Sequence, residues 1–387
     1  MASWLKRPDV IKAYHRAIRP LHAISDSAKH ARDSGVCQRL KSRPSNSIYD
    51  KLRHDKSSPY GLLELTLAKF LPDSVNRTLP KEAPTGAWQL PAGYHLVFFP
   101  PPTANLLDDG TDDMHFPGKP WAQIPHLQTP PRRCVRCNEH IKDAVVKGSV
   151  GNEKVWVDIT RAIGPTRAYR KLNLSAAEAV DKAAIIETRN LVFMPAKTPE
   201  EAIDDVSKPT RIIKPTIKPD FSVSIVPDAN LLFRFSALTF NAHRIHLDRE
   251  YARTVEGFRN LVVHGPLSIL LMLKVLSSQM RSLETGIPQM VKSITYKNLT
   301  PLFADEKMTI CVRRQLQASA ASTEADATET PTKADSIQAA ADSGITKWDV
   351  WIENAEGGYA VKGTAETVTA GYASPTDPKR LVRLVKG

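Results

Sequence analysis

The sequence predicts an α+β fold of two halves, in which strands of the second half gather around one long apolar helix. Three observations lead there. Residues 262–280 are apolar nearly all round, broken by Lys274, and a helix of that kind is buried rather than laid on a surface. Short runs rich in β-branched and aromatic residues lie on both sides of it, as strands require. A Pro/Lys/Asp-rich stretch at 196–220 divides the chain into parts of similar size. A curved antiparallel sheet wrapped on a central helix buries such a helix on most sides. Two such halves in one chain would allow a pseudo-dimer with a site at the junction.

The elements follow in order. Residues 1–58 form a basic leader with thirteen Lys/Arg, five Asp and no Glu, so only +4 of the formal +12 belongs to the rest. Trp4, Ile11, Tyr14, Ile18 and Leu21 recur at helical spacing among Lys6, Arg7, Lys12, Arg16 and Arg19. Basic, amphipathic and poor in acid is the pattern of an organellar transit peptide. We expect a mitochondrial presequence and a matrix location; a basic tail with no address is the bland alternative. Charge concentrated at one end argues against nucleic acid, which calls for a basic patch on the folded body. The longest apolar run, residues 266–276, is interrupted by Lys274 and is too short to span a membrane.

Residues 59–195 read as the first domain. Residues 62–71 suggest a short helix. Residues 94–99 suggest a strand stopped by Pro100, Pro101 and Pro102, and residues 155–157 and 191–194 suggest two more. Residues 196–220 read as a linker whose four prolines discourage a continuous helix,. Residues 221–370 read as the second domain, with strands at 221–226, 231–235, 292–297, 308–313, 347–352 and 359–365. Gly357-Gly358 signals a hairpin. Residues 317–346 carry no aromatic residue and read as a disordered insertion, having too little to bury. Residues 371–387 read as a basic tail with no core role.

Cys134 and Cys137 form a single C-x-x-C, while Cys37 and Cys311 stand alone. Without a second pair at metal spacing, no metal and no cofactor is expected. Two small buried residues flanking a strand is the preferred reading.

The chemistry concentrates between Phe233 and Leu267. The stretch reads Phe-Ser-Ala-Leu-Thr-Phe-Asn-Ala-His-Arg-Ile-His from Phe235 to His246, and His264-Gly265-Pro266 opens the apolar helix. Moving water across a double bond next to a thioester needs a proton carrier, a neutral group to hold water and a donor for the carbonyl oxygen. Histidine suits the first task because its pKa lies near operating pH. Asparagine suits the second. A glycine N–H at a helix start suits the third, where free donors and positive potential coincide.

These residues resemble the hydratase-2 motif of MaoC-like, hot-dog-fold enzymes, which usually reads S-G-D-x-N-P-x-H. His246 falls on the motif's catalytic histidine. Asn241 falls where the motif has an aspartate, and His243 and Arg244 fall on its Asn-Pro. The wording is closest to the branch of fungal mitochondrial hydroxyacyl-thioester dehydratases type 2 and related mesaconyl- or itaconyl-CoA hydratases. Residues 90–99, Asp109-Gly110-Thr111-Asp112 and the region 137–194 are also similar to that branch, which covers about residues 60–370. Lys119-Pro120-Trp121-Ala122 stands where the branch has a longer Arg-Arg-Met-Trp-Ala-Gly-Gly stretch.

The resemblance implies a double hot-dog, with catalysis in the second half. It implies His246, Asn241 and Gly265 as catalytic residues, and His243, Arg244, Val263 and His264 around the substrate. The expected activity is (3R)-3-hydroxyacyl-thioester dehydration in mitochondrial type II fatty acid synthesis, with acyl carrier protein or CoA as carrier. The reading allows a homodimer. The alternatives are a mesaconyl- or itaconyl-type CoA hydratase, for which Arg244 would matter, and a non-catalytic mitochondrial hot-dog protein.

Overall fold

A single ten-stranded sheet runs through both halves of the chain. The computed structural model describes residues 35–43, 46–50, 58–76, 90–101, 103–116, 135–149, 153–166, 175–209, 212–281, 289–315, 345–369 and 382–386. The strands are β1 (Asn46–Asp50), β2 (Val135–Lys147), β3 (Lys154–Pro165), β4 (Ile185–Phe193), β5 (Phe221–Ile225), β6 (Gln289–Asn298), β7 (Met308–Arg314), β8 (Ile345–Glu353), β9 (Tyr359–Thr369) and β10 (Val382–Lys386). Their spatial order is β1-β2-β3-β4-β10-β6-β9-β8-β7-β5. Pairing within β1–β4 and within β5–β9 is antiparallel. Strand β10 runs parallel to both β4 and β6 and joins the two half-sheets. This is a double hot-dog whose two sheets are fused edge to edge.

Helix α1 (Val36–Lys41) and β1 both lie within the expected leader. Leu40 packs with Ile141, Val157 and Ile159 on the β2–β3 surface. The ordered first half therefore starts before residue 59, while residues 1–34 lie outside the described residues. The tail at 371–387 is corrected too, because it supplies β10. Two half-sheets that end side by side each present unpaired backbone N–H and C=O groups, and β10 satisfies both edges at once.

Two further expectations are overturned by local chemistry. Residues 231–235 are not a strand but part of helix α5 (Ala229–Thr239), which is the fifth helix in chain order. The Asp228 side chain caps it by accepting from the Leu231 N–H at 2.8 Å,. Its buried residues Leu231, Leu232, Phe235 and Ser236 share one helical face,. Residues 94–97 form a 3-10 turn rather than a strand. Gly93, at φ 86°, starts that turn in a conformation open mainly to glycine.

The remaining helices are α2 (Pro59–Leu67), α3 (Ala176–Asp181), α4 (Pro199–Ser207), α6 (Arg249–Thr254) and α7 (Gly265–Arg281). Helix α4 corrects the linker reading. Pro199 occupies its first turn, and Thr198 and Glu201 form a capping box. A proline there gives up an N–H that has no helical partner anyway. The disordered insertion is almost wholly outside the described residues, as 316–344 are not described.

Helix α7 is the central helix foreseen for the second half, and residues 267–276 along it are buried without exception. It packs against β5, β6, β7 and β8. Lys274, within that apolar run, is buried with its Nζ 2.7 Å from Glu64 Oε2 on α2 and 3.0 Å from the Tyr94 hydroxyl. The Tyr94 hydroxyl also bonds the Glu64 carboxylate. This charged knot ties the central helix of the second half to two elements of the first.

Candidate active site

Helix α5 ends on Phe240, which turns left-handed at φ 53°. The Asn241 N–H closes the end by donating to the Ser236 carbonyl at 2.9 Å,. The chain then turns back on itself. Asn241 Oδ1 accepts from the His243 N–H at 2.9 Å, which fixes the turn leading into the 3-10 segment Arg244–His246,. So the oxygen of Asn241 is engaged within its own loop.

His246 is 7% exposed. Its Nδ1 lies 2.7 Å from the Val262 carbonyl oxygen. A carbonyl only accepts, so Nδ1 carries the proton and Nε2 keeps its lone pair. Among the described residues nothing bonds to Nε2. Burial pulls the His246 pKa down to about 4, against a smaller opposing effect of the Val262 bond, and nearby His243 lowers it further. His246 is therefore a neutral base at physiological pH.

The His264 ring stacks on His246, centroids 3.6 Å apart and 22° from parallel. Its Nε2 lies 2.9 Å from the Ser236 hydroxyl, and Phe235 meets its ring edge-on at 5.1 Å. Burial, then the neighbouring His246 and His243, push its pKa well below the ordinary histidine value. Helix α7 starts at the next residue, Gly265. The Gly265 N–H has no acceptor among the described residues, as expected of the first turn of a helix. A Cβ at Gly265 would lie 3.1 Å from Asn298 Nδ2, so the approach there is close.

The structure thus brings His243, His246, His264 and Gly265 together. It places the other expected residues differently. Val263 gives its N–H to the Leu302 carbonyl at 2.7 Å, and its side chain joins the main core. Arg244 pairs with Asp248 at 2.8 Å and lies over the Tyr251 ring at 4.1 Å. Residues 119–122 lie outside the described residues, as does Cys134, whereas Cys137 is buried on β2.

Other contributors were not assigned roles from the sequence. Ser236 holds His264, and the Val262 carbonyl fixes the tautomer of His246. The segment around Asp109 and Gly110 comes from the first half and docks on the histidine loop. The Arg244 N–H donates to the Asp109 carbonyl at 2.8 Å. A Cβ at Gly110, φ 82°, would lie 2.1 Å from the Ala242 carbonyl oxygen, so only glycine permits this backbone contact.

His95, 1% exposed, is likewise held near pKa 4, chiefly by burial. For His95 and His246 the folded value lies below the unfolded value of about 6.5. The unfolded chain then binds more protons between those values. Stability should be full above about pH 6.5 and fall as the pH drops toward 4. Thermal melts across that range check this; a flat profile would remove the case for neutral buried histidines.

The family model for hydroxyacyl-thioester dehydratase type 2 matches residues 93–304. A mesaconyl-C(4)-CoA hydratase from Chloroflexus aurantiacus is 31% identical over 216 residues, 55% of this chain and 73% of the relative. The mitochondrial hydroxyacyl-thioester dehydratase type 2 of Schizosaccharomyces pombe is 26% identical over 277 residues, 66% of this chain and 86% of the relative. Its Saccharomyces cerevisiae counterpart is 26% identical over 250 residues, 61% of this chain and 80% of the relative. With the family model spanning more than half of its length, the chain belongs to the hydroxyacyl-thioester dehydratase type 2 family.

Proposed function

We propose that the chain is a hydro-lyase that converts (3R)-3-hydroxyacyl thioesters to trans-2-enoyl thioesters. The observation that carries this is the neutral, buried His246, with Nε2 open, stacked on the residue before the Gly265 helix start. His246 Nε2 takes the proton from the carbon next to the thioester carbonyl. The electron pair moves into the enolate, whose oxygen meets the Gly265 N–H. Removing such a donor typically costs about 3–4 kcal/mol in the barrier. The double bond forms as the β-carbon releases its hydroxyl, which leaves as water with a proton from the histidine cluster. Asn241 helps by shaping the loop and offering its amide group to water, and His243 and His264 line the site.

Mitochondrial type II fatty acid synthesis is the setting we propose, with acyl carrier protein as carrier and the matrix as location. The two fungal relatives described as mitochondrial support it.

A second reading keeps the chemistry with a branched dicarboxyl CoA ester, prompted by the mesaconyl-C(4)-CoA hydratase relative. That substrate needs a cation for its second carboxylate. Arg244, the candidate for it, already pairs with Asp248, which favours the first reading. Purified protein should hydrate crotonyl-CoA at least about tenfold faster than mesaconyl-CoA, followed by loss of the conjugated thioester absorbance. The reverse preference would favour the second reading, and no turnover of either would overturn both.

A further inference from the structure

The histidine cluster sits beside a carboxylate that comes from the other half of the chain. Asp109 Oδ2 lies 3.8 Å from His243 Nε2. Its other oxygen, Oδ1, is held by the Thr111 N–H at 2.9 Å and the Thr111 hydroxyl at 2.7 Å. The Asp109 carbonyl meanwhile accepts from the Arg244 N–H. Side chain and backbone are therefore both fixed, and Oδ2 is the atom left facing the imidazole. The His243 and His246 rings lie edge to face with centroids 5.5 Å apart, so the two imidazoles are neighbours in the site.

Other groups near the cluster do not take this place. Asn241 is neutral and its Oδ1 is bonded within the turn. Glu256, the other acid whose field reaches His243, accepts from the Tyr251 hydroxyl at 2.9 Å. His264 is held by Ser236, and Arg244 is paired with Asp248.

We propose that Asp109 acts through His243, making it the second proton-handling group of the site, opposite His246. This rests on the hydro-lyase reading above and names the source of the proton that leaves with the hydroxyl. In dehydration the α-proton passes to neutral His246 Nε2, and protonated His243 gives its proton to the departing hydroxyl. His246 ends charged and His243 neutral. Exchange through water returns the proton to His243 before the next turnover. Burial lowers the His243 pKa on balance, and the Asp109 carboxylate is the larger of two opposing effects, ahead of Glu256, so its charge helps set how much protonated His243 is present. Asp109 is a positioning residue, because it touches His243 and not the reacting atoms.

The test uses the full chain with 13C-labelled histidine, the His243 signal being assigned by its loss in His243→Gln. Asp109→Asn keeps an acceptor for Thr111 and removes only the charge. It should move the His243 titration to lower pH by about one unit. It should lower kcat for crotonyl-CoA hydration by at least about tenfold, with KM changed less than about threefold. Asp109→Glu should recover part of both. An unmoved titration overturns the proposal, and so does a moved titration with unchanged kcat. A wild-type protein without turnover instead overturns the hydro-lyase reading, and with it any catalytic part for Asp109. The titration would still report the Asp109–His243 pairing.

Discussion

His246→Ala is expected to lower kcat for enoyl-thioester hydration by about 10²–10⁴-fold, the range carried by one placed proton-transfer group. The argument rests on what its ring holds. Nδ1 is committed to the Val262 carbonyl, so Nε2 is the nitrogen that can take a proton. His264, the ring stacked on it, is tied to Ser236 and is not placed to replace it. Alanine also leaves the half-buried Val262 carbonyl without its partner, at up to about 1–3 kcal/mol of stability. Activity must therefore be compared on folded protein, checked by the thermal midpoint. Near-normal turnover from folded His246→Ala protein would refute the assignment of the base.

Lys274→Met is expected to cost about 3–5 kcal/mol of stability, because it strands the Glu64 carboxylate inside the protein. The Lys274 and Glu64 side chains are 1% and 3% exposed. Neither has water to fall back on, and each neutralises the other. The Tyr94 hydroxyl alone cannot replace a cation for the carboxylate. A Glu64→Leu and Lys274→Met double variant should recover most of the loss, since paired removal leaves no stranded charge. Chemical denaturation of the two singles and the double measures the coupling directly. If the singles cost under about 1 kcal/mol, the pair is not holding the two halves together.

The presence of Lys274 in an apolar helix was itself a signal in the sequence. A buried lysine demands a partner, but nothing local says which. Glu64 and Tyr94 become the answer only when α2 and the 94–97 turn fold onto α7.

The sequence by itself determined what short-range pattern can determine. The all-round apolar stretch at 262–280 gives the central helix, and burial on most sides gives the enclosing sheet. The run of residues 233–246 resembles the hydratase-2 motif, which points to His246, and the following His264-Gly265-Pro266 gives the helix start. Spacing also placed β5, β6, β7, β8 and β9 close to where they are.

Tertiary structure decided what depends on distant partners. Residues 231–235 carry strand-like side chains, yet capping by Asp228 and a single buried face make them helix. Residues 382–386 have no core signature, yet two open sheet edges recruit them. Asp109 belongs to an acidic loop of the first half, and only the docking of Gly110 against Ala242 brings its charge to His243. Local pattern is a matter of which residues recur at a helix or strand period. The partners of a buried charge are set by chain segments that meet only after both halves have closed.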